Sequence, residues 1–313
     1  MNIDYISPLS NAWKRMKKAL FQPFDLGKWF TIGFTAFLAG LMDGGGGGGG
    51  NSSRYSSRYK SEDLFDFFNF PNVASEWLAN HPVLATLIFI GVGLLVVLLI
   101  VFLWLSSRGK FMFLHNVVHN KAEVVAPWKE YSREGNSLFL WRLVFGLISL
   151  LVFAMTMINA FQFFREAYFS GETIDMLLDN IIGYIMFGLL MIIITAYISL
   201  FLDHFVVPIM YKHRISTTSA WRMFMSILWP KIGYFLLYGI FVLILGIAVV
   251  ISVVIFGFAT LCIGFLLLII PFISAVVLLP VSYTFRAFSI EFLGQFGGDY
   301  NLNPQVVEET QII

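Results

Sequence analysis

Long uncharged apolar runs alternate along the chain with short polar stretches, and the length of the runs sets the architecture. A helix crossing the ~30 Å hydrocarbon core of a bilayer needs ~20 largely apolar residues. Six runs approach or reach that length: 26–43, 82–106, 138–164, 181–202, 232–256 and 259–283. The pattern predicts an all-α polytopic integral membrane bundle of about six transmembrane helices. The first run is the shortest, with its strongly apolar part confined to Trp29 through Met42. Pro271 and Pro280 fall in the last run, where a missing N–H should kink a helix.

The polar stretches carry a different periodicity. Leu9, Ala12, Trp13, Met16 and Leu20 recur at helical spacing on one face, with Lys14, Arg15, Lys17 and Lys18 on the other, after a Ser7-Pro8 start. This predicts a basic amphipathic helix at a membrane surface. The same construction precedes the fifth run: Ala220-Trp221 repeats Ala12-Trp13. Arg222-Met223 stands as far before Pro230 as Arg15-Met16 stands before Pro23, and Gly233 and Gly27 follow the prolines. A weaker copy, Ala126-Pro127-Trp128-Lys129, precedes the third run. The expectation is three hairpin repeats, each led by a cytoplasmic amphipathic helix.

Charge then fixes orientation. Fourteen Lys and Arg lie before the first run, in the second and fourth loops and after the last run, and Lys28 at the entry of the first run makes fifteen, against four in the first and third loops. Under the positive-inside rule both termini are cytoplasmic, which requires 26–43 to cross. A chain 58% apolar and only 12% charged lacks the polar surface of a soluble globule, and a net charge of +1 gives no electrostatic footprint for nucleic acid. The predicted location is the cell membrane, with residues 1–296 as the membrane domain, 44–61 as a flexible Gly/Ser-rich extracytoplasmic loop and 297–313 as a disordered tail. Residues 63–77, which alternate acids with Phe and Trp, predict a short helix at the outer interface.

Candidate chemistry is sparse. The central parts of the six runs hold no Asp, Glu, Lys, Arg or His, which argues against an ion-coupled pump. Arg142, Asp203 and His204 fall near run ends, within snorkelling reach of water. His115, His119, Asp203 and His204 form a candidate inner-face polar cluster, in which the first two are four apart, as on one helical face. That spacing suits zinc, but the Glu of an HExxH site is missing. Cys262 has no partner cysteine, and no nucleophile elbow occurs, so no catalytic residue, cofactor or metal is expected. Gly33 and Gly40, Gly239 and Gly246, and Gly257 and Gly264, each seven apart, mark close helix approaches.

The Ala220-Trp221-Arg222-Met223 helix, the breaker Pro230 with Gly233, and the matching N-terminal residues resemble the membrane domain attached to glycerophosphodiester phosphodiesterases and prokaryotic polytopic families similar to it. The resemblance implies a helical-hairpin membrane architecture. It does not bring the hydrolase activity, because no loop is long enough to hold the catalytic barrel.

The function these features favour is non-enzymatic engagement of lipid or of a membrane partner, including a second copy. Trp13, Lys14, Arg15, Lys17, Lys18, Trp128, Trp221 and Arg222 serve as interfacial anchors for anionic lipid. The alternative is a permease or exporter subunit for a neutral or amphipathic solute, with a cavity lined by groups such as Thr156, Asn159 and Thr195.

Overall fold

The computed structural model describes residues 3–43, 61–170, 174–260 and 263–302, and every regular element among them is helical. The glycine run with the Ser/Arg/Tyr stretch to residue 60, and the tail from 303, lie outside the described residues.

Helix α1, Ile6–Phe21, starts on Asp4, whose carboxylate accepts from the backbone N–H of Ile6 (3.0 Å) and Ser7 (3.1 Å) and from the Ser7 hydroxyl. That hydroxyl, followed by the two amides, holds the Asp4 carboxyl below the ordinary range. Helix α2, Leu26–Gly40, is capped by Asp25, which accepts from Gly27 N and Lys28 N. Helices α3 (Ser61–Asn80), α4 (Pro82–His119), α5 (Val125–Glu130), α6 (Ser132–Ser170) and α7 (Ile174–Phe201) follow. Beyond α7 the chain passes through a π-turn, Leu202–Val206, into α8, Val207–His213, which Arg214 ends in the left-handed conformation. Next come α9 (Thr217–Leu228), a 3-10 turn (Trp229–Lys231), α10 (Ile232–Ala259), α11 (Ile263–Ile269), α12 (Pro271–Val277), α13 (Leu279–Gly294) and a final 3-10 turn, Gly298–Tyr300.

Several helices run well past their apolar windows. Helix α4 has 38 residues, a length of ~57 Å at 1.5 Å per residue. Apolarity marks where a helix is shielded from water and does not mark where its hydrogen bonds end. Among the described residues, four segments are long and apolar enough to cross a membrane: Pro82–His119, Ser132–Ser170, Leu178–His213 and Thr217–Ala259. A fifth counts if α12 and α13, bent by 63° to each other, form one span. The remaining difference from six lies in α2, whose 15 residues reach ~22 Å. The run 259–283 is not one helix, because it breaks before Pro271 and again before Pro280. Gly298–Tyr300 is ordered, held by Lys212 Nζ donating to the Asn301 carbonyl (2.7 Å), so the tail is structured at its start.

The chain divides into two compact units. The first comprises Met1–Gly49, Phe102–Arg142 and Tyr197–Ile313; the second comprises Gly50–Val101 and Leu143–Ala196. The first has a dense aromatic core in which Phe205 contacts the rings of Phe224, Phe235 and Tyr238 at 4.9–5.3 Å. Helix α1 buries Ala12, Met16, Ala19 and Leu20 within this unit and packs along α13. In the second unit the helices present apolar side chains nearly all round, as Leu87, Phe89, Leu94, Leu150 and Ile192 illustrate. Its ring contacts include Phe68 with Phe161 and Tyr168.

Candidate functional site

The first unit gathers five ionised side chains from five segments. Helix α2 approaches α4 at Gly109, where a Cβ would stand 2.7 Å from the Leu38 and Ala39 backbone. Ser106 Oγ donates to the Ala39 carbonyl (2.9 Å) and fixes the end of α2 on α4. Asp43, just beyond that end, places Oδ2 2.6 Å from Lys110 Nζ and Oδ1 2.6 Å from Arg142 Nη2. Lys110 also pairs with Asp203 Oδ1. Arg142 Nη1 donates to Ser106 Oγ (3.1 Å), and Arg286 Nη1 donates to the Asp203 carbonyl (2.6 Å). The π-turn presents Asp203 to Lys110 and the adjacent His204 to the Tyr238 hydroxyl, 2.7 Å away. Burying such charges is tolerable only because each has a partner. Arg142, Asp203 and His204 therefore face protein groups instead of snorkelling to water, a correction to the sequence reading. Contacts so distant along the chain leave no local spacing to detect.

His115 and His119 belong to a separate constellation. Their Nδ1 and Nε2 lie 3.0 and 3.1 Å from the Tyr211 hydroxyl. One phenol can donate only one proton, so one imidazole accepts while the other donates. Tyr131 stacks on Tyr211 at 4.5 Å, and the Arg214 guanidinium lies 3.8 Å from the Tyr131 ring while pairing with Glu130. The expected four-residue cluster is thus two pairs with different neighbours. Among the described residues no group of three or more His, Cys, Asp or Glu is placed to hold a metal.

The expected anchors also divide. Lys14, Lys17 and Lys18 are exposed, Trp13 is 49% exposed, and Lys17 Nζ lies 5.5 Å from the Trp13 ring. Arg15 is half-buried and donates to the Val117 (3.0 Å) and Val118 (2.8 Å) carbonyls, neutralising the C-terminal end of α4. Trp128 takes the Arg108 guanidinium at 4.7 Å. Trp221 stacks on Trp141 at 5.5 Å, whereas Arg222 is exposed.

Two cavities among the described residues bear on function. In the first unit, α1 and α10 diverge over α13 to leave an apolar wedge of about 480 Å³. Leu9 and Trp13, Leu245 and Val249, and Val281 and Phe285 represent its three sides. Tyr5 joins α1 to α10 near this wedge, its hydroxyl donating to the Tyr234 carbonyl at 3.0 Å. In the second unit a polar recess of about 390 Å³ is lined by Thr156, Asn159, Asp179, Asn180, Tyr184 and neighbours. Thr195 is absent from its lining and bonds the Met191 carbonyl. Of the glycine pairs, Gly33 abuts Val276 and Gly239 abuts Tyr197, while Gly40 and Gly246 face open space; Gly257 abuts Phe265.

The model of a family of unknown function, DUF7544, matches residues 3–298. The chain belongs to this family. The match takes in α1 through α13, so the residues of the ion network, the Tyr211 constellation and both cavities lie within the matched stretch. No curated protein and no solved structure matches the chain. The likeness to the phosphodiesterase membrane domain therefore rests on the motifs alone. The long apolar helices are those of a membrane-embedded protein.

Proposed function

We propose that this chain is a non-enzymatic multi-pass protein of the cell membrane that binds anionic phospholipid, with both termini in the cytoplasm. The observation that carries the reading is the apolar wedge of about 480 Å³, one side of which is the Leu9 and Trp13 flank of α1, the helix that also exposes Lys14, Lys17 and Lys18. Its volume lies within the ~300–1,000 Å³ typical of ligand sites. The wedge offers an acyl chain apolar walls, and Lys14, Lys17 and Lys18 offer its headgroup positive charge.

The reading entails six crossings in three hairpins, led by α1, α5 and α9. The Lys and Arg distribution supports this orientation. Asp43, at the end of α2, pairs with Lys110 and Arg142, which this orientation puts at the cytoplasmic ends of their helices; that contact counts against α2 as a crossing, and the labelling decides it. Labelling cysteines placed at Ser53 and Ser10 from opposite sides of the membrane tests the topology. Equal labelling from one side would overturn it. For lipid binding, Lys14, Lys17 and Lys18 should be changed to Glu together, sparing Arg15. In nanodiscs the native protein should prefer phosphatidylglycerol to phosphatidylcholine and the triple variant should lose the preference; a native protein without preference sinks the reading.

The recess bearing Thr156 and Asn159 favours a second reading, a permease or exporter subunit for a neutral or amphipathic solute. It requires solute flux in reconstituted vesicles that Asn159→Leu abolishes.

A further inference from the structure

The ion network has the geometry of an anion site that is already filled. The Asp43 carboxylate gives one oxygen to Lys110 and the other to Arg142, each at 2.6 Å, and these cations come from α4 and α6. Side-chain exposure rises from 1% at Lys110 to 12% at Arg142 and 32% at Asp43, so the carboxylate is the outermost group and the cations lie beneath it. Neither cation depends on Asp43 for its position. Lys110 is also held by Asp203, and Arg142 by Ser106 Oγ. Ser106 separately tethers the end of α2 through the Ala39 carbonyl, so release of the carboxylate need not undock the helix.

Charge is also unbalanced. Lys110, Arg142 and Arg286 face two carboxylates, Asp43 and Asp203, and Arg286 donates to the Asp203 backbone carbonyl. A protected cationic excess of this kind stabilises an added anion. A guanidinium fork beside a compact ammonium suits a tetrahedral or planar oxyanion.

We propose that Lys110 and Arg142 form an anion-binding site whose resident occupant is the chain's own Asp43 carboxylate, and that a phosphate group takes its place when an anionic ligand binds. The site is independent of the wedge between α1, α10 and α13. Asp43 then acts as a tethered competitor, lowering apparent affinity by the fraction of time it occupies the site.

Inorganic phosphate binding to the purified full chain in neutral detergent tests this directly. Asp43→Asn should bind phosphate at least ~10-fold more tightly than the native protein, as removal of an intramolecular competitor requires. The added change Arg142→Gln should abolish the gain. Equal affinity of native protein and Asp43→Asn, or a gain that survives Arg142→Gln, overturns the proposal. Should Asp43→Asn fail to fold, Met42→Cys in the native Asp43 background gives a second readout. Its alkylation should accelerate several-fold when phosphate displaces the neighbouring carboxylate, and a constant rate under every ligand overturns the proposal. The same probe in nanodiscs identifies the source. Acceleration by inorganic phosphate assigns a free anion, acceleration by phosphatidic acid but not phosphatidylcholine assigns a headgroup, and a response to neither again overturns it.

Discussion

The two compact units solve the burial of apolar side chains in opposite ways. The first turns its aromatic side chains inward: Phe205, Phe224, Phe235, Tyr238 and Phe292 are fully buried against one another, and charged groups are matched with partners inside the same unit. The second turns its apolar side chains outward along α4, α6 and α7. A helix that is hydrophobic on every face needs a solvent that is not water. The stability of the first unit is therefore written mainly in its own contacts, and that of the second mainly in its surroundings.

The sharpest way to break this contrast is at Lys110. Lys110→Met leaves Asp43 and Asp203 facing each other without the cation between them, and loss of one partner from a buried pair costs ~3–5 kcal/mol. Thermal unfolding in detergent should show a large drop in the midpoint. A change within error would mean that the network contributes nothing to the first unit. Next comes a matched pair of truncations. Phe205→Ala should destabilise by ~3–5 kcal/mol, as for other buried aromatics, whereas Phe89→Ala, 67% exposed, should fall within ~0.5 kcal/mol in detergent. Equal effects would erase the distinction between the units. Leu95→Arg tests what covers the second unit. A charge at the centre of a lipid-facing helix disfavours insertion by ~2.5–3.5 kcal/mol, so membrane-integrated yield should fall while Leu95→Ala leaves it unchanged.

The smallest effect is expected at Asp4. Its carboxyl is held below the ordinary range by the Ser7 hydroxyl and the first amides of α1. The stabilisation is thus present above the ordinary carboxylate pKa and lost as pH falls through the lowered one. Asp4→Asn should flatten that acid limb slightly, and an unchanged limb would show that the cap contributes nothing in solution.

Sequence carried the architecture where a local period existed. The apolar runs located α4, α6, α7 and α10; the 3.6-residue face of Leu9, Ala12 and Met16 anticipated α1; and Pro271 and Pro280 marked the breaks around α12. It failed where the partner is remote. The period of α1 identifies an apolar face but not its neighbour, and that neighbour is α13, with Arg15 spent on the end of α4. The pair His115 and His119 was legible from spacing, but Tyr211 was not. Arg142 read as a charge near the end of a run, Asp203 as a member of a cluster with His115, His119 and His204, and Lys110 as one loop cation among several; only tertiary contact joins them with Asp43 into a network.

The π-turn at Leu202–Val206 carries a consequence for how such a helix tolerates change in length. A π-turn amounts to one residue more than the α-helical ladder needs, so everything after it is rotated by about 100° relative to an unbroken helix. Deleting a single residue there would let the ladder close and would rephase α8 as a body, carrying Tyr211 away from His115 and His119 and Lys212 away from the C-terminal turn. Insertions and deletions between Leu202 and Val206 thus amount to a rotary adjustment of everything that follows, a kind of variation that point substitution cannot imitate.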